Sequence, residues 1–441
     1  MIIYIKVSHS YTQDMETYIK RRQDLAKRYS RTLFVIPAGS ESMRSHSVAY
    51  RYKAPSDFLY LAGVTLADSI LVIAGQKTYL LSDFFIRKDS IWGEEGFLTE
   101  NDLKQLQSVQ FESLDKLEEI LQSSLTSFDR IAAPLGRSAE VDKTLQSLVS
   151  FKRRDRRRLS NEPLALVDSR TLVGSLRQVK STEEIELMRE AAYRSSKVHR
   201  ELLRQNFVGK TELEVCNWIE AGFMNEGMRW TSYETIVGSG HRSTILHARA
   251  SDRILRDGDL VLIDAGAEWQ GYCADITRVM PVAKTFTQEQ RNLYDIVLQA
   301  QKKTLEAIKP GETLQGLHQL ALSHLSEGLL QRGYARNLLQ EDLAKLMPHS
   351  TSHWLGLDVH DPCSYFDDEG HALKVTAGMT FTVEPGLYFR EGLNALFGHE
   401  GLGIRIEDDV VVTETGCEIL SSAPKEIEEI EELRAQSESH N

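Results

Sequence analysis

The sequence predicts a chain of mixed helix and strand in two domains, a smaller N-terminal α/β domain over residues 1–170 and a larger α+β domain over 176–441. Three observations predict it. The first stretch alternates a helical pattern with short apolar runs of strand length. From Ser181 onward, helices begin on Ser or Thr followed three residues later by Glu or Gln, the signature of a capping box. Between and after those helices, apolar strand-like runs carry acidic residues, a conflict of pattern and content expected where function lives.

Taken in order, Met15 to Tyr29 (METYIKRRQDLAKRY) reads as a basic amphipathic helix, which leaves the first fourteen residues as a loosely attached extension. Strands are expected at Thr32–Pro37, Phe58–Val64 (FLYLAGV), Ser69–Ala74, Lys77–Ser82 and Arg130–Pro134, with a helical segment around Leu114–Gln122. No chemistry stands out in this domain. Trp92 in SIWGEEG is either loop packing or part of a binding surface. The run KRRDRRR (Lys152–Arg158) is one isolated cluster in an acidic chain and reads as a solvated helix face or an intersubunit contact. The second domain opens on Ser181–Glu184, followed by Ile185, Met188, Ala192 and Leu202 at helical spacing. Thr211–Glu214 starts a second helix, and Thr287–Gln290 a third that runs to Lys309 before Pro310–Gly311. A fourth spans about Leu314–Gln331, and the acidic stretch from Pro424 reads as a C-terminal helix that frays at Ser437–Asn441.

With 441 residues, 41% of them hydrophobic and 26% charged, the chain has the composition of an ordinary soluble protein with room for two or three cores. A formal net charge of −12 argues against a general nucleic-acid binder. The four cysteines, Cys216, Cys273, Cys363 and Cys417, form no CxxC pair, which fits a reduced cytoplasmic setting. The N-terminus lacks a basic region followed by a long apolar one, and no apolar run reaches the roughly 18 residues of a membrane span. A soluble, unprocessed protein is expected.

The chemistry centres on DLVLIDAGAEWQGYCADITRVMP (Asp259–Pro281), where Leu260–Ile263 and Tyr272–Val279 read as two strands around a turn at Trp269–Gly271. A turn centred between Trp269 and Gln270 would make Asp264 and Asp275 direct cross-strand neighbours, unless a bulge at Gly266 or Gly271 shifts the pairing. Side chains so opposed have Cβ atoms roughly 5 Å apart, and like charges there destabilise a sheet. The pair is then a proton-sharing dyad or a set of metal ligands, unless the hairpin is wide and both carboxylates point to water.

Three further candidates lie in apolar runs downstream: His353 in HSTSHWLGLDVHD, Glu384 in MTFTVEPGLY and Glu407 in GIRIEDDVVV, where Arg405 and Glu407 share one face of a strand. A lone buried Glu is rare unless paired or coordinated. Four ionised carboxylates are neutralised by two divalent cations, and oxygen donors with one imidazole and no thiolate favour Mn²⁺, Co²⁺ or Zn²⁺. Two such ions roughly 3.5–4 Å apart can activate water and clamp an oxyanion, which is machinery for amide or ester hydrolysis.

The segments TIVGSGHRSTILHARAS, DLVLIDAGAEWQGYCADITRVMPV, HSTSHWLGLDVHD, TFTVEPGLY and GIRIEDDVVVTETG resemble, in order, those of the aminopeptidase P (Xaa-Pro aminopeptidase) family of pita-bread metallopeptidases. The resemblance runs from about Leu176 to Thr415, and YRYKAPSDFLYLAGV (Tyr50–Val64) resembles a segment of the family's creatinase-like N-terminal domain more loosely. Ser350 and Thr351 depart from it, standing where the family usually has Gly and an aliphatic residue. The resemblance implies a pita-bread catalytic domain in which Asp264, Asp275, His353, Glu384 and Glu407 bind two metal ions, typically Mn²⁺, with Asp275 and Glu407 bridging. It implies that His247 and His360 flank the bound peptide, that Glu384 helps move protons, and that His349 and Arg405 line the pocket for proline. The implied activity is hydrolysis of the bond between an N-terminal residue and a following proline, by a homo-oligomer, dimer or tetramer. Proline lacks an N–H and fixes its own φ, so a rigid pocket can select it.

Three other readings share the fold. Prolidase has the same five ligands and accepts dipeptides. A metal-free binding module or a creatinase, which works without metal, is disfavoured because all five ligand residues are present.

Overall fold

A computed structural model of the chain describes residues 15–83, 106, 108–154, 164–392 and 401–437. Trp92, Asp155–Arg158 of the basic run, the first fourteen residues and the last four lie outside them. The chain divides into two compact units, Met1–Leu176 and Arg177–Asn441.

The first unit is built on a six-stranded mixed sheet with the strand order Gln110–Glu112, Lys77–Ser82, Ser69–Ala74, Thr32–Pro37, Arg130–Ala133, Ala165–Asp168. Thr32–Pro37 is buried along its whole length at the centre of the sheet, antiparallel to one neighbour and parallel to the other. The helix Met15–Arg28 precedes it, and the helical segment expected near Leu114 is a 3₁₀ turn, Leu114–Lys116, leading into the helix Leu117–Ser124. The expected strand at Phe58–Val64 is instead a helix, Ser56–Ala62, ended by Gly63 at φ 74°. A short apolar run cannot be assigned by period alone, and the signals here were the Pro55–Ser56–Asp57 start and a glycine in the left-handed conformation at its end. Lys152, within the basic run, is buried rather than solvated.

In the second unit the three capping boxes form as read. Ser181, Thr211 and Thr287 each accept the backbone N–H three residues on, and Glu184, Glu214 and Gln290 reach back to the cap. Each such cap contributes about 1 kcal/mol to its helix. The helices are Thr182–Leu203, Glu212–Asn225 and Gln288–Ala307, and Leu314–Gln331 follows. Inside them lie a three-stranded sheet with Leu260–Asp264 between Thr277–Pro281 and Ile236–Ser239, and a second one with Asp408–Val412 between Thr380–Val383 and Cys417–Ile419. The antiparallel pair Gly386–Phe389 and Leu402–Arg405 completes it. Apart from the edge strand Cys417–Ile419, these strands are almost wholly buried, so the polar side chains on them are the ones that need partners.

One such partner comes from a helix. His199, 2% exposed, donates its Nε2–H to the carbonyl of Ala265 at 2.8 Å, just beyond Asp264. Burial pushes this imidazole down to about 4, the hydrogen bond to Ala265 opposing the shift. The unfolded chain takes up this proton near pH 6.5 and the folded chain only near 4. The stability His199 contributes is therefore complete above pH 6.5 and is lost as pH falls from 6.5 to 4, about 3 kcal/mol in all. Urea midpoints measured across that window should fall steeply for the native chain and less so for His199→Gln.

Candidate active site

The hairpin that carries Asp264 and Asp275 pairs in a different register from the expected one. Leu260 faces Pro281, Asp264 faces Thr277, and Trp269 faces Tyr272. The turn is centred on Gln270–Gly271, both at positive φ (50° and 86°), the conformation of a type I′ hairpin. Asp264 and Asp275 are therefore diagonal neighbours. Gly266 makes the close passage possible, since a Cβ there would stand 1.9 Å from the carbonyl oxygen of Ala274. The two carboxylates still converge, because the Tyr233 hydroxyl lies 2.5 Å from Asp264 Oδ1 and 2.6 Å from Asp275 Oδ1. The two carboxylate oxygens share the Tyr233 hydroxyl, and burial, opposed by Arg405 and reinforced by Asp275, pushes the Asp264 carboxyl up to about 6.

Thr277, in the place expected for Asp275, links two more residues. Its hydroxyl donates to Glu407 Oε2 at 2.7 Å and accepts from Arg405 Nε at 3.0 Å. Arg405 and Glu407 do point the same way, but the strand Leu402–Arg405 ends at Arg405 and Glu407 sits in the break before Asp408–Val412. Arg405, 4% exposed, also donates to Asp264 Oδ2 at 2.6 Å and to the Tyr388 hydroxyl at 2.8 Å.

Glu384 follows the end of the strand Thr380–Val383, as read. Phe381 and Val383 are fully buried on one face, so the strand cannot rotate its polar end elsewhere. His353 lies in an irregular segment rather than a strand, held alongside by Thr382 N–H to the His353 carbonyl at 3.0 Å and Glu384 N–H to the Thr351 carbonyl at 2.8 Å. The His353 ring donates Nδ1–H to the Trp354 carbonyl at 3.2 Å. Its Nε2 then faces Asp275 Oδ2 at 3.3 Å, Glu384 Oε1 at 3.6 Å and Glu407 Oε1 at 4.0 Å.

This donor set fits a metal centre. Single ligand atoms of Asp275, His353 and Glu407 lie within 4.8 Å of one another. Burial and the surrounding carboxylates push Glu384 up to about 7, against His353 and Arg405, and hold Glu407 well above the ordinary carboxylate range. Burial alone would lower His353, but Asp275 and Glu384 hold it up to about 9. Crowded anions that draw protons in this way present the charge that divalent cations neutralise. Asp275 is further fixed through its backbone, whose N–H bonds the carboxylate of buried Asp409 at 3.0 Å.

All five residues line a cavity of about 630 Å³ together with Tyr233, Thr235, His247, His349, His360 and Arg405. His349 is oriented by a relay: Arg405 donates to the Tyr388 hydroxyl, Tyr388 donates to His349 Nε2 at 2.9 Å, and Nδ1–H goes to the Ser350 carbonyl at 2.8 Å. The ring is thereby neutral, and burial together with the Arg405 charge keeps it down at about 4. His360 stacks edge-on against His353, centroids 4.4 Å apart, and both His247 and His360 are exposed at the cavity wall. Tyr233, Thr277 and Tyr388 escaped the sequence reading.

Comparisons with known proteins find relatives over nearly the whole chain. The description Metallopeptidase family M24 matches residues 186–414, and Aminopeptidase P, N-terminal domain, matches residues 18–132. An Xaa-Pro aminopeptidase of Escherichia coli (strain K12) is 35% identical over 430 residues, 95% of this chain and 97% of that protein. Aminopeptidase PepP of Pseudomonas aeruginosa superposes with a TM-score of 0.87 at 30% identity, covering 96% of this chain and 99% of its own. A zinc-substituted E. coli aminopeptidase P in complex with product superposes with a TM-score of 0.86 at 33% identity, over 97% and 100% of the two chains. The chain belongs to metallopeptidase family M24, in its aminopeptidase P branch.

Proposed function

We propose that this chain is a metal-dependent Xaa-Pro aminopeptidase, with residues 176–441 as the catalytic domain and 1–170 as the N-terminal domain. The observation that carries the reading is the convergence of four carboxylates and the His353 Nε2 on one wall of a cavity large enough for a short peptide, in a chain similar throughout its length to Xaa-Pro aminopeptidases. Asp264, Asp275, His353, Glu384 and Glu407 would hold two divalent ions. Mn²⁺ is favoured by the oxygen-rich donor set and Co²⁺ or Zn²⁺ fit it as well. When bound, the ions supply an activated water and charge stabilisation at the carbonyl.

The protein's own groups do the rest. Glu384 takes a proton from the attacking water and returns it to the proline nitrogen as the C–N bond breaks, so the products are a free amino acid and a peptide with an N-terminal secondary amine. His247 and His360, exposed at the wall, hydrogen-bond the peptide on either side of the bond that is cut. Neutral His349 and Arg405, fixed through Tyr388, line the place of the proline ring. We further propose a cytoplasmic homo-oligomer, a dimer or tetramer, that acts on peptides with proline second. Among the described residues, no helix is long and apolar enough to cross a membrane.

The reading is tested by offering Xaa-Pro-Xaa tripeptides and Xaa-Pro dipeptides with and without Mn²⁺. Metal-dependent release of the first residue from the tripeptide is expected. Cleavage of the dipeptide alone would make the chain a prolidase.

A further inference from the structure

The groups that face the cavity include one with no anchor of its own. His247 is exposed, and among the described residues its imidazole has no hydrogen-bonding partner in the protein. Its position is set by the segment that carries it, residues 239–251. That segment leaves the strand Ile236–Ser239, makes the 3₁₀ turn Gly240–Thr244, and comes back so that the Ala248 carbonyl accepts the Val237 N–H at 3.1 Å. Along with that return contact and an antiparallel bridge between Ile236 and Arg249, one side chain gathers the segment's two ends.

That side chain is Glu212, the first residue of the helix Glu212–Asn225, with 0% exposure. Its Oε1 accepts the Ser239 N–H at 2.8 Å and the Ser239 hydroxyl at 2.7 Å. Its Oε2 accepts Arg242 Nε–H at 2.9 Å, the Ser251 N–H at 3.2 Å and the Ser251 hydroxyl at 2.6 Å. Arg242 in turn donates to the Arg249 carbonyl at 2.6 Å, joining the outgoing and returning arms. Five donors thus converge on one buried carboxylate, which satisfies the lone pairs that burial would otherwise leave costly. The other side of the segment is seated as tightly: Gly403 N–H donates to the Ser243 hydroxyl at 2.7 Å, and a Cβ on Gly403 would stand 2.0 Å from the Ser243 carbonyl oxygen. Gly403 lies two residues before Arg405, so the segment is wedged between Glu212 and the strand that carries the site's guanidinium.

We propose that Glu212 is a positioning residue for the reaction: by holding both ends of residues 239–251, its carboxylate fixes where His247 stands over the bound peptide. The proposal rests on the reading of His247 as a substrate-facing group. A carboxylate is needed because all five contacts are donors. Glutamine would turn an NH₂ group toward two or three of them, and the loop would shift. A displacement of about 1 Å in a group that touches the substrate is enough to lower turnover about 100-fold.

The test is a double-mutant cycle on kcat/KM for an Xaa-Pro-Xaa tripeptide with the Mn²⁺-loaded full chain, using Glu212→Gln, His247→Ala and the pair, with His360→Ala as the reference partner. His247→Ala alone should lower kcat/KM about 100-fold and Glu212→Gln about 10–100-fold. In the His247→Ala background, Glu212→Gln should cost no further loss beyond about 3-fold, whereas with His360→Ala the two losses should multiply. Ser251→Ala removes one of the five contacts and keeps the carboxylate. It should show a smaller loss that vanishes in the same background, which keeps the test open if Glu212→Gln does not fold. If His247→Ala costs nothing, the placement of His247 at the peptide is wrong and the proposal falls with it. If His247→Ala is costly but the losses multiply, or couple equally to His360, Glu212 supports the fold and does not position His247.

Discussion

Glutamine at position 407 is expected to make the metal-free chain more stable and nearly inactive. Glu407 is buried among Asp275, Glu384 and Asp264, and burial with those like charges holds its carboxyl well above the ordinary range. A carboxylate whose folded pKa is raised opposes folding at every pH above its unfolded value, so a neutral group of the same shape removes that penalty. The Thr277 hydroxyl, 2.7 Å from Glu407 Oε2, can still donate to the glutamine carbonyl oxygen. Activity moves the other way. Losing one anionic donor of a dinuclear centre should lower kcat/KM by at least about 100–1,000-fold, and Asp264→Asn should do the same. Urea midpoints of metal-free protein, with tripeptide cleavage in Mn²⁺, check both halves. A Glu407→Gln variant that is less stable and fully active would contradict the assignment. The opposition of stability and activity is what marks a group retained for chemistry.

The second large effect lies one residue further on and is purely structural. Asp408, fully buried, accepts Arg278 Nη2–H at 2.6 Å, the Ser421 hydroxyl at 2.8 Å and Gln301 Nε2–H at 2.8 Å, and pairs with Lys425. Arg278 also donates to backbone carbonyls at Thr277, Glu407 and Ala423, so the two side chains join the hairpin, the strand Asp408–Val412 and the C-terminal segment. Arg278 and Lys425 overcome the burial penalty and keep Asp408 far below the usual carboxylate range. Asp408→Ala would leave Arg278 buried, and Lys425 half-buried, without their anion. Breaking a buried pair in this way costs about 3–5 kcal/mol, a loss read directly from the urea midpoint. The sign with pH follows: Asp408 contributes above its unfolded pKa near 4 and loses that contribution only under stronger acid, so the variant's deficit should shrink below pH 4.

These two neighbours show what the sequence could and could not convey. Helix starts were legible because a capping box is local: Ser181, Thr211 and Thr287 needed only the residue three positions later. The acidic residues were legible because Asp264, Asp275, Glu384 and Glu407 break apolar runs. The hairpin register was not, since it turned on whether Gln270 would adopt positive φ beside Gly271, and a shift of the turn by one residue changes every facing pair. Thr277 thereby went unnoticed, although a Thr facing an Asp in a buried ladder had a reason to be polar. Tyr233 carried no signal at all. It lies 31 positions before Asp264, outside any periodic segment, and only the fold brings its hydroxyl between two carboxylates. Phe58–Ala62 failed for the opposite reason, a run too short for its period to separate helix from strand.

The most direct measurement is a titration of metal-depleted protein with Mn²⁺, following bound metal per chain and tripeptide cleavage together. Two ions per chain, with cleavage appearing as they bind and neither seen in Asp264→Asn, is the predicted result. Cleavage that proceeds at full rate with no metal bound would contradict it.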